Sequence, residues 1–451
     1  MEKNKSFSNR KSTNFNFFNI NLIIIGIFLF TLFFSVIKSF IRFELSFLLL
    51  LFSIIILLFS KLINKNGIAI TKVDLMWLLF LMCLIINIAF NGLFTPNNMI
   101  DILVYTLAIM FLLLVKVNIN YYDSSLKLIK ILGIVYACSA IFQYLFTDIY
   151  LGNVLPLFLE SEQSGILSLL RGNSYSGFTN QTAHLAGYTV SAIGVIVFSK
   201  WNSKFSTKVY TNMFLILLFI GLLLSSKRAH IIFMIIAIVI TILFSINNKA
   251  FVKNITKLIL GIILLGLLTI ILYMSIDNED SPIVGIFNDI EDTIIGFIEG
   301  DDITSGRSIL YRHSLELFKD NSIAGIGWKE FLNSNSIGLI NSDRGSHPHN
   351  IYLQLLTELG MMGFLLFIIP VVYMYYKTFR MLRLLSIQNG SLEKWKKGIQ
   401  FSFFSQTFFL LYGLTGNLLT DFNFLLTYFF ACSISLSAMV KLKPDQLSLV
   451  E

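Results

Sequence analysis

Histidines and a few arginines are the side chains of this sequence best equipped for chemistry. The five histidines are His184, His230, His313, His347 and His349. An imidazole titrates near neutral pH and is the side chain best suited to take up a proton there. Arg171, Arg228 and Arg307 fall where polar segments meet long apolar runs, and Lys227 precedes Arg228. A guanidinium stays charged at any working pH and grips phosphate oxygens in pairs. Together these groups point to proton abstraction beside a bound anion, with a lipid diphosphate as the natural guest. Other readings stay open: a histidine can pack in a loop, and an arginine can snorkel to phospholipid head groups. His347-Pro348-His349 also looks like a metal-ligand pair, but no third ligand follows at motif spacing and no metal is expected.

The elements that must hold these groups are membrane helices. Of 451 residues, 55% are hydrophobic and 13% charged, and the mean hydropathy is +0.76. Half the usual charge cannot coat a water-exposed surface of this size. A cytosolic enzyme, a secreted disulfide scaffold and a disordered chain are excluded together. Apolar stretches lie at roughly 20–37, 44–60, 75–90, 100–116, 128–146, 182–199, 210–226, 229–247, 255–275, 351–376, 400–418 and 421–440. Runs of this length satisfy their own backbone in lipid as helices. The expected fold is all-α, a polytopic integral membrane protein of about 12 transmembrane helices with a large extracytoplasmic loop containing amphipathic helices.

Charge sets the sidedness. With the N-terminus in the cytoplasm, inner segments hold 24 of the 34 Lys and Arg residues, and the loops at 91–99 and 417–422 hold none. The net charge of +8 is therefore a topology signal and not a nucleic-acid footprint. Both termini are expected inside, with the first apolar run an uncleaved span. Residues 1–18 form a cytoplasmic basic tail, and 19–275 hold nine spans with an outer loop at 147–181. A large extracytoplasmic loop follows at 276–350, the last three spans occupy 351–440, and 441–451 is a cytoplasmic tail. All five histidines then lie in outer loops or at outer span ends. Cys83, Cys138 and Cys432 fall within spans, where they imply neither disulfides nor a metal motif.

The large loop carries 13 of the 26 Asp and Glu residues. Ile283, Phe287, Ile290, Ile294 and Phe297 recur at helical spacing and predict an amphipathic helix, either a cover for the bundle or a substrate lid. Residues 306–319 predict a second helix, with Arg307, Tyr311, Ser314 and Phe318 on one stripe. Gly325-Ile326-Gly327 allows a tight turn. Glu358 stands eight residues past Asn350, roughly 12 Å into the following span. A structural or orienting role is assigned to it, and Gly360 and Gly363 beyond it would admit a neighbouring helix.

At these positions the chain resembles the O-antigen ligase and O-antigen polymerase superfamily of bacterial envelope glycan assembly. His349-Asn350-Ile351-Tyr352 followed by Glu358-Leu359-Gly360 and Gly363 is similar to that family's HN, aromatic, E-x-G-x-x-G signature. Gly306-Arg307 with Tyr311 resembles its G-R-x-x-x-W element, Gly325 and Gly327 its P-x-x-G-x-G turn, and Arg228 its S-R element. Residues 171–183 resemble its R, G-x-F-x-N-x-N stretch. Tyr311 replaces a tryptophan, Lys227 a serine, Ser322 the proline and Thr182 the second asparagine.

The resemblance implies a membrane glycosyltransferase. It would polymerise undecaprenyl-diphosphate-linked oligosaccharide repeats into O-antigen or capsular polysaccharide on the outer face of the bacterial cytoplasmic membrane. A ligase passing the finished glycan to a lipopolysaccharide core or a protein is the alternative, and a flippase of lipid-linked sugar is a second. His349, Arg307 and Arg228 would be catalytic, and Arg171, Asn180, Tyr311 and Asn350 would bind substrate. Glu358, Gly325, Gly327, Gly360 and Gly363 would orient these groups. No cofactor or metal is expected. The expected partners are the lipid-linked donor, a glycan acceptor, membrane lipids, a flippase and a chain-length regulator, with no nucleic acid.

Overall fold

A computed structural model of the protein describes residues 70–115, 119–199, 205–245, 307–334, 347–387 and 393–441, with Phe40, Phe52 and Ile55. All regular structure among these residues is helical. In chain order it comprises α1 (Lys72–Phe90), α2 (Pro96–Val115), α3 (Ile119–Leu145), α4 (Glu160–Arg171), α5 (Thr182–Ser199) and α6 (Phe205–Leu224). There follow α7 (Arg228–Ser245), α8 (Arg307–Asp320), α9 (Glu330–Ser334), α10 (Ile351–Ile387), α11 (Glu393–Tyr412) and α12 (Phe422–Lys441). Short helical turns at 147–157 lead from α3 towards α4.

Six described helices, α1, α2, α3, α7, α10 and α12, are long and apolar enough to cross a membrane, and α5 and α6 are shorter apolar helices. The chain is thus a multi-pass membrane protein. The expected spans at 20–37, 44–60 and 255–275, the amphipathic helix at 283–297 and both tails lie outside the described residues or nearly so.

α12 is the innermost helix, with 83% of its apolar window buried. It packs between α11 and α2. α1 lies against α2 and α10, while α3, α5 and α6 form a second group joined through α5 to α11. Where α3 crosses α5, a Cβ on Gly133 would fall 2.3 Å from that of Ala192, so the small pair sets how closely the helices approach. Between α10, α11 and α12 the buried Gln406 amide donates to Thr378 Oγ1 at 2.9 Å and Ser402 Oγ at 3.0 Å. Thr378 in turn bonds Ser435 at 2.9 Å. The two that cross between helices, Gln406 to Thr378 and Thr378 to Ser435, contribute roughly 0.6 kcal/mol each.

Two expected spans are corrected. The run beginning at Ile351 extends to Ile387 rather than 376, and it is broken at Gly360, where φ is 65° and ψ is −170°. α11 begins at Glu393 and ends at Tyr412 rather than covering 400–418, because the chain turns at 413–421 before α12. Gly360 does not admit a neighbouring membrane helix. It lets the 322–327 turn of the loop lie against the break, with a Cβ there falling 2.2 Å from Ile323 O. Gly360→Ala is expected to destabilise the protein by about 1–3 kcal/mol through backbone strain alone, read as a lower thermal unfolding midpoint in detergent. An unchanged midpoint would show that the break is dispensable.

Candidate active site

The site is built at one end of the bundle, where the turns at 91–95, 225–227, 347–350 and 413–421 meet the loop helices α8 and α9. Backbone bonds tie this end together: Tyr175 N donates to Leu224 O and Ile351 N to Gly413 O, both at 2.9 Å.

A joint beneath the site fixes the loop. Trp328 is fully buried, and its indole donates to Asp101 Oδ2 at 2.7 Å while Lys329 Nζ approaches the same oxygen at 2.6 Å. Asn87 receives the Trp328 amide at 2.9 Å and donates to Ala324 O at 3.0 Å. On the other side, Ile326 N donates to Thr357 O and Gly327 N to Glu358 O, and across the break Met361 N donates to Ser322 O. Glu358 is fully buried, accepts from Gln354 Nε2 at 3.1 Å and receives the Lys329 amide. Gly325 (φ 72°) and Gly327 (φ 114°) supply the turn, and Gly363 leaves room for the Leu359 side chain. Gly325, Gly327, Glu358, Gly360 and Gly363 therefore belong to one joint holding the loop to α1, α2 and α10. Asp101→Ala, which strands the Trp328 indole and the Lys329 ammonium, is expected to cost about 3 kcal/mol. Denaturant titration in detergent checks it, and wild-type stability would contradict a holding role for the pair.

From this joint α8 carries Arg307 to the mouth. Arg307 Nη1 donates to Thr415 O and Tyr311 OH to Leu414 O, both at 3.4 Å, and Arg307 also bonds Tyr311. Burial raises the Tyr311 hydroxyl above its ordinary pKa, and Arg307 partly offsets this. His349 follows Pro348 in left-handed backbone (φ 51°), a conformation strained for a residue with a side chain. Burial, then the charges of Arg307 and Lys227, push its imidazole down to about 4. Burial and Arg307 likewise lower the Lys227 ammonium. Thus Arg307, Lys227 and His349 share one electrostatic neighbourhood. His347 links the mouth to the joint, since burial, Lys329 and His349 push it to about 4.

Asn350 caps α10, its Oδ1 accepting from the amides of Tyr352 at 3.0 Å and Leu353 at 3.1 Å. These bonds engage the side-chain oxygen of a residue expected to bind substrate. Asn180 is engaged at both ends, donating to Glu162 Oε2 at 3.0 Å and meeting His184 Nδ1 at 3.1 Å. Arg171 is exposed at the C-terminal end of α4, where a cation complements the carbonyl dipoles. Arg228 opens α7 and is half-buried; the cations acting on His349 are Arg307 and Lys227.

Asp421 Oδ2 lies 3.3 Å from His184 Nε2. Tyr412 feels both Asp421 and Arg307. Behind it His230 is buried among the rings of Tyr412, Phe424 and Phe408, at centroid distances of 4.1, 5.6 and 5.9 Å. The sequence reading missed Asp421, Glu162 and Tyr412, and noted Lys227 beside Arg228 without giving it a role in the site. An acid in the short turn between the last two spans was the available signal for Asp421. Among the described residues the non-glycine positions with positive φ are Asn173, Ser226, Lys329 and His349, all at this end of the bundle. Such strain concentrates where side chains must be aimed. Among the described residues no group of three or more His, Cys, Asp or Glu side chains could hold a metal ion.

Chemically the mouth offers two cations to an anion, an imidazole that is neutral at neutral pH, and a carboxylate pinned by a second imidazole. Residues 213–368 match the family model described as O-antigen ligase. That segment carries Lys227, Arg228, Arg307, Tyr311, His349 and Glu358, whereas Arg171, Asn180, His184 and Asp421 lie outside it. No curated protein matches the chain.

Proposed function

We propose that the chain, whose residues 213–368 match the family model described as O-antigen ligase, transfers a glycan from a polyprenyl-diphosphate carrier to an acceptor hydroxyl. The reaction would take place at the outer face of the bacterial cytoplasmic membrane. The observation that carries this reading is the shared neighbourhood of Arg307, Lys227 and His349. The acceptor hydroxyl loses its proton to His349 and attacks the anomeric carbon. The bond from that carbon to the diphosphate oxygen breaks, and Arg307 and Lys227, with Arg228 beside them, stabilise the charge left on the diphosphate. Tyr311 holds Arg307 in place through their hydrogen bond.

We propose polymerisation as the form of this transfer. Its acceptor is a second copy of the lipid-linked repeat, so one mouth shaped for one glycan on one type of anion serves both substrates. The description of the matched family favours the ligase as second reading, in which the acceptor is a lipopolysaccharide core or a protein. A deletion strain separates the two. Polymerisation is supported if single repeats remain joined to their anchor. Loss of all attached glycan, with lipid-linked polymer accumulating, would replace it with ligation, and repeats trapped on the inner face would replace both with transport.

A further inference from the structure

We infer that Glu162, Asn180 and His184 form a positioning chain for Asp421, anchored at Glu162 on the surface helix α4; this rests on the glycan-transfer reading above. The chain follows from what each atom can do. The Glu162 carboxylate only accepts hydrogen bonds, so Asn180 turns its Nδ2 towards Oε2 at 3.0 Å. This fixes Asn180 Oδ1 towards His184 Nδ1 at 3.1 Å. An amide oxygen also only accepts, so Nδ1 of His184 must carry the hydrogen. Nε2 then faces Asp421 Oδ2 at 3.3 Å. The other oxygen of Asp421 accepts the Asn423 amide at 3.2 Å. Asn423 is itself held by the Tyr188 hydroxyl at 2.7 Å, and Tyr188 stacks on Tyr136.

Asp421 is therefore pinned from the bundle interior by Asn423 and from the outer surface by Glu162 acting through two side chains. Asp421 and Arg307 both act on Tyr412, and Arg307 donates to Thr415 O in the turn that carries Asp421. On α7, His230 feels both His184 of the chain and Lys227 in the turn before it. A carboxylate fixed in this way beside a diphosphate clamp presents an acceptor to a hydroxyl of the glycan. Glu162, Asn180 and His184 set its direction and are positioning residues.

The test uses the full-length protein in lipid nanodiscs with 15N-labelled histidine, the His184 signal being assigned by its loss in His184→Gln. The expected spectrum shows a hydrogen on His184 Nδ1 in the wild type, and loss or exchange of that hydrogen in Asn180→Leu and Glu162→Leu. Glycan transfer from a synthetic polyprenyl-diphosphate oligosaccharide is expected to fall about ten- to a hundredfold in kcat in both variants, with KM for the donor within about twofold. Glu162→Gln, which keeps an accepting oxygen, should retain most of the rate. Should Asn180→Leu fail to fold, Glu162→Leu on the surface helix carries the test. A wild-type Nδ1 without hydrogen, or a Glu162→Leu protein with unchanged Nδ1 signal and kcat, overturns the chain. If no glycan is transferred by the wild type while Nδ1 responds as expected, the hydrogen-bond chain stands and the reaction assigned to the mouth falls.

Discussion

Arg307→Ala is expected to lower glycan transfer at least about a hundredfold, the usual loss when a donor aimed at charge developing in the transition state is removed. Its own protein contacts are weak, a bond at the 3.4 Å limit to Thr415 O and one to Tyr311. The fold should survive, because α8 is held by the joint around Trp328 and Asp101 and not by Arg307. Protein level in the membrane should thus match the wild type while the initial rate with a lipid-linked oligosaccharide collapses. Arg307→Lys keeps the charge and loses the planar fork, so an intermediate rate is expected. A near-normal rate for Arg307→Ala would remove this arginine from the diphosphate clamp.

His349→Ala is expected to cost about 10² to 10⁴ in rate, the range for loss of a general base. The pH dependence gives a sharper signature. Burial, Arg307 and Lys227 hold the imidazole near 4 in the free protein, and His347 lies beside it. Its neutral form, the one able to accept a proton, therefore dominates throughout the physiological range. The acid limb of kcat/KM, which reports the free enzyme, should fall near pH 4. A bound diphosphate neutralises Arg307 and Lys227 and so removes part of what depresses the ring. The acid limb of kcat, which reports the complex, should therefore lie at higher pH. Lys227→Met, which deletes one of the two cations, should move the limb of kcat/KM upwards as well. Identical limbs for kcat and kcat/KM would argue that the anion does not bind beside His349.

Much of the scaffold is written in the composition of the chain. α1, α2, α3, α7 and α12 coincide with apolar stretches to within a few residues, apart from an earlier start to α3, because lipid demands uninterrupted apolar runs of nearly fixed length. The break at Gly360 was hidden because a glycine in an apolar run reads equally well as a helix contact. Only the 322–327 turn, placed there by bonds to Thr357 and Glu358, reveals it. The mouth was half legible. Arg307 and His349 stood out by residue type and by resemblance, and the structure brings them into one electrostatic neighbourhood. The His184 and Asp421 pair was not legible, since residues on α5 and before α12 meet only once the helices pack. Nor could spacing show that Asn180 and Asn350 spend their side chains on neighbours within the protein.

The most direct measurement is reconstitution of the purified protein in liposomes with one fluorescent polyprenyl-diphosphate oligosaccharide, followed by resolution of the products by gel. Wild-type protein should yield glycan longer than the input together with free polyprenyl diphosphate, and both should vanish in Arg307→Ala and His349→Ala. Equal product from wild type and both variants, or release of diphosphate without glycan transfer, would contradict a mouth in which these two residues drive the transfer.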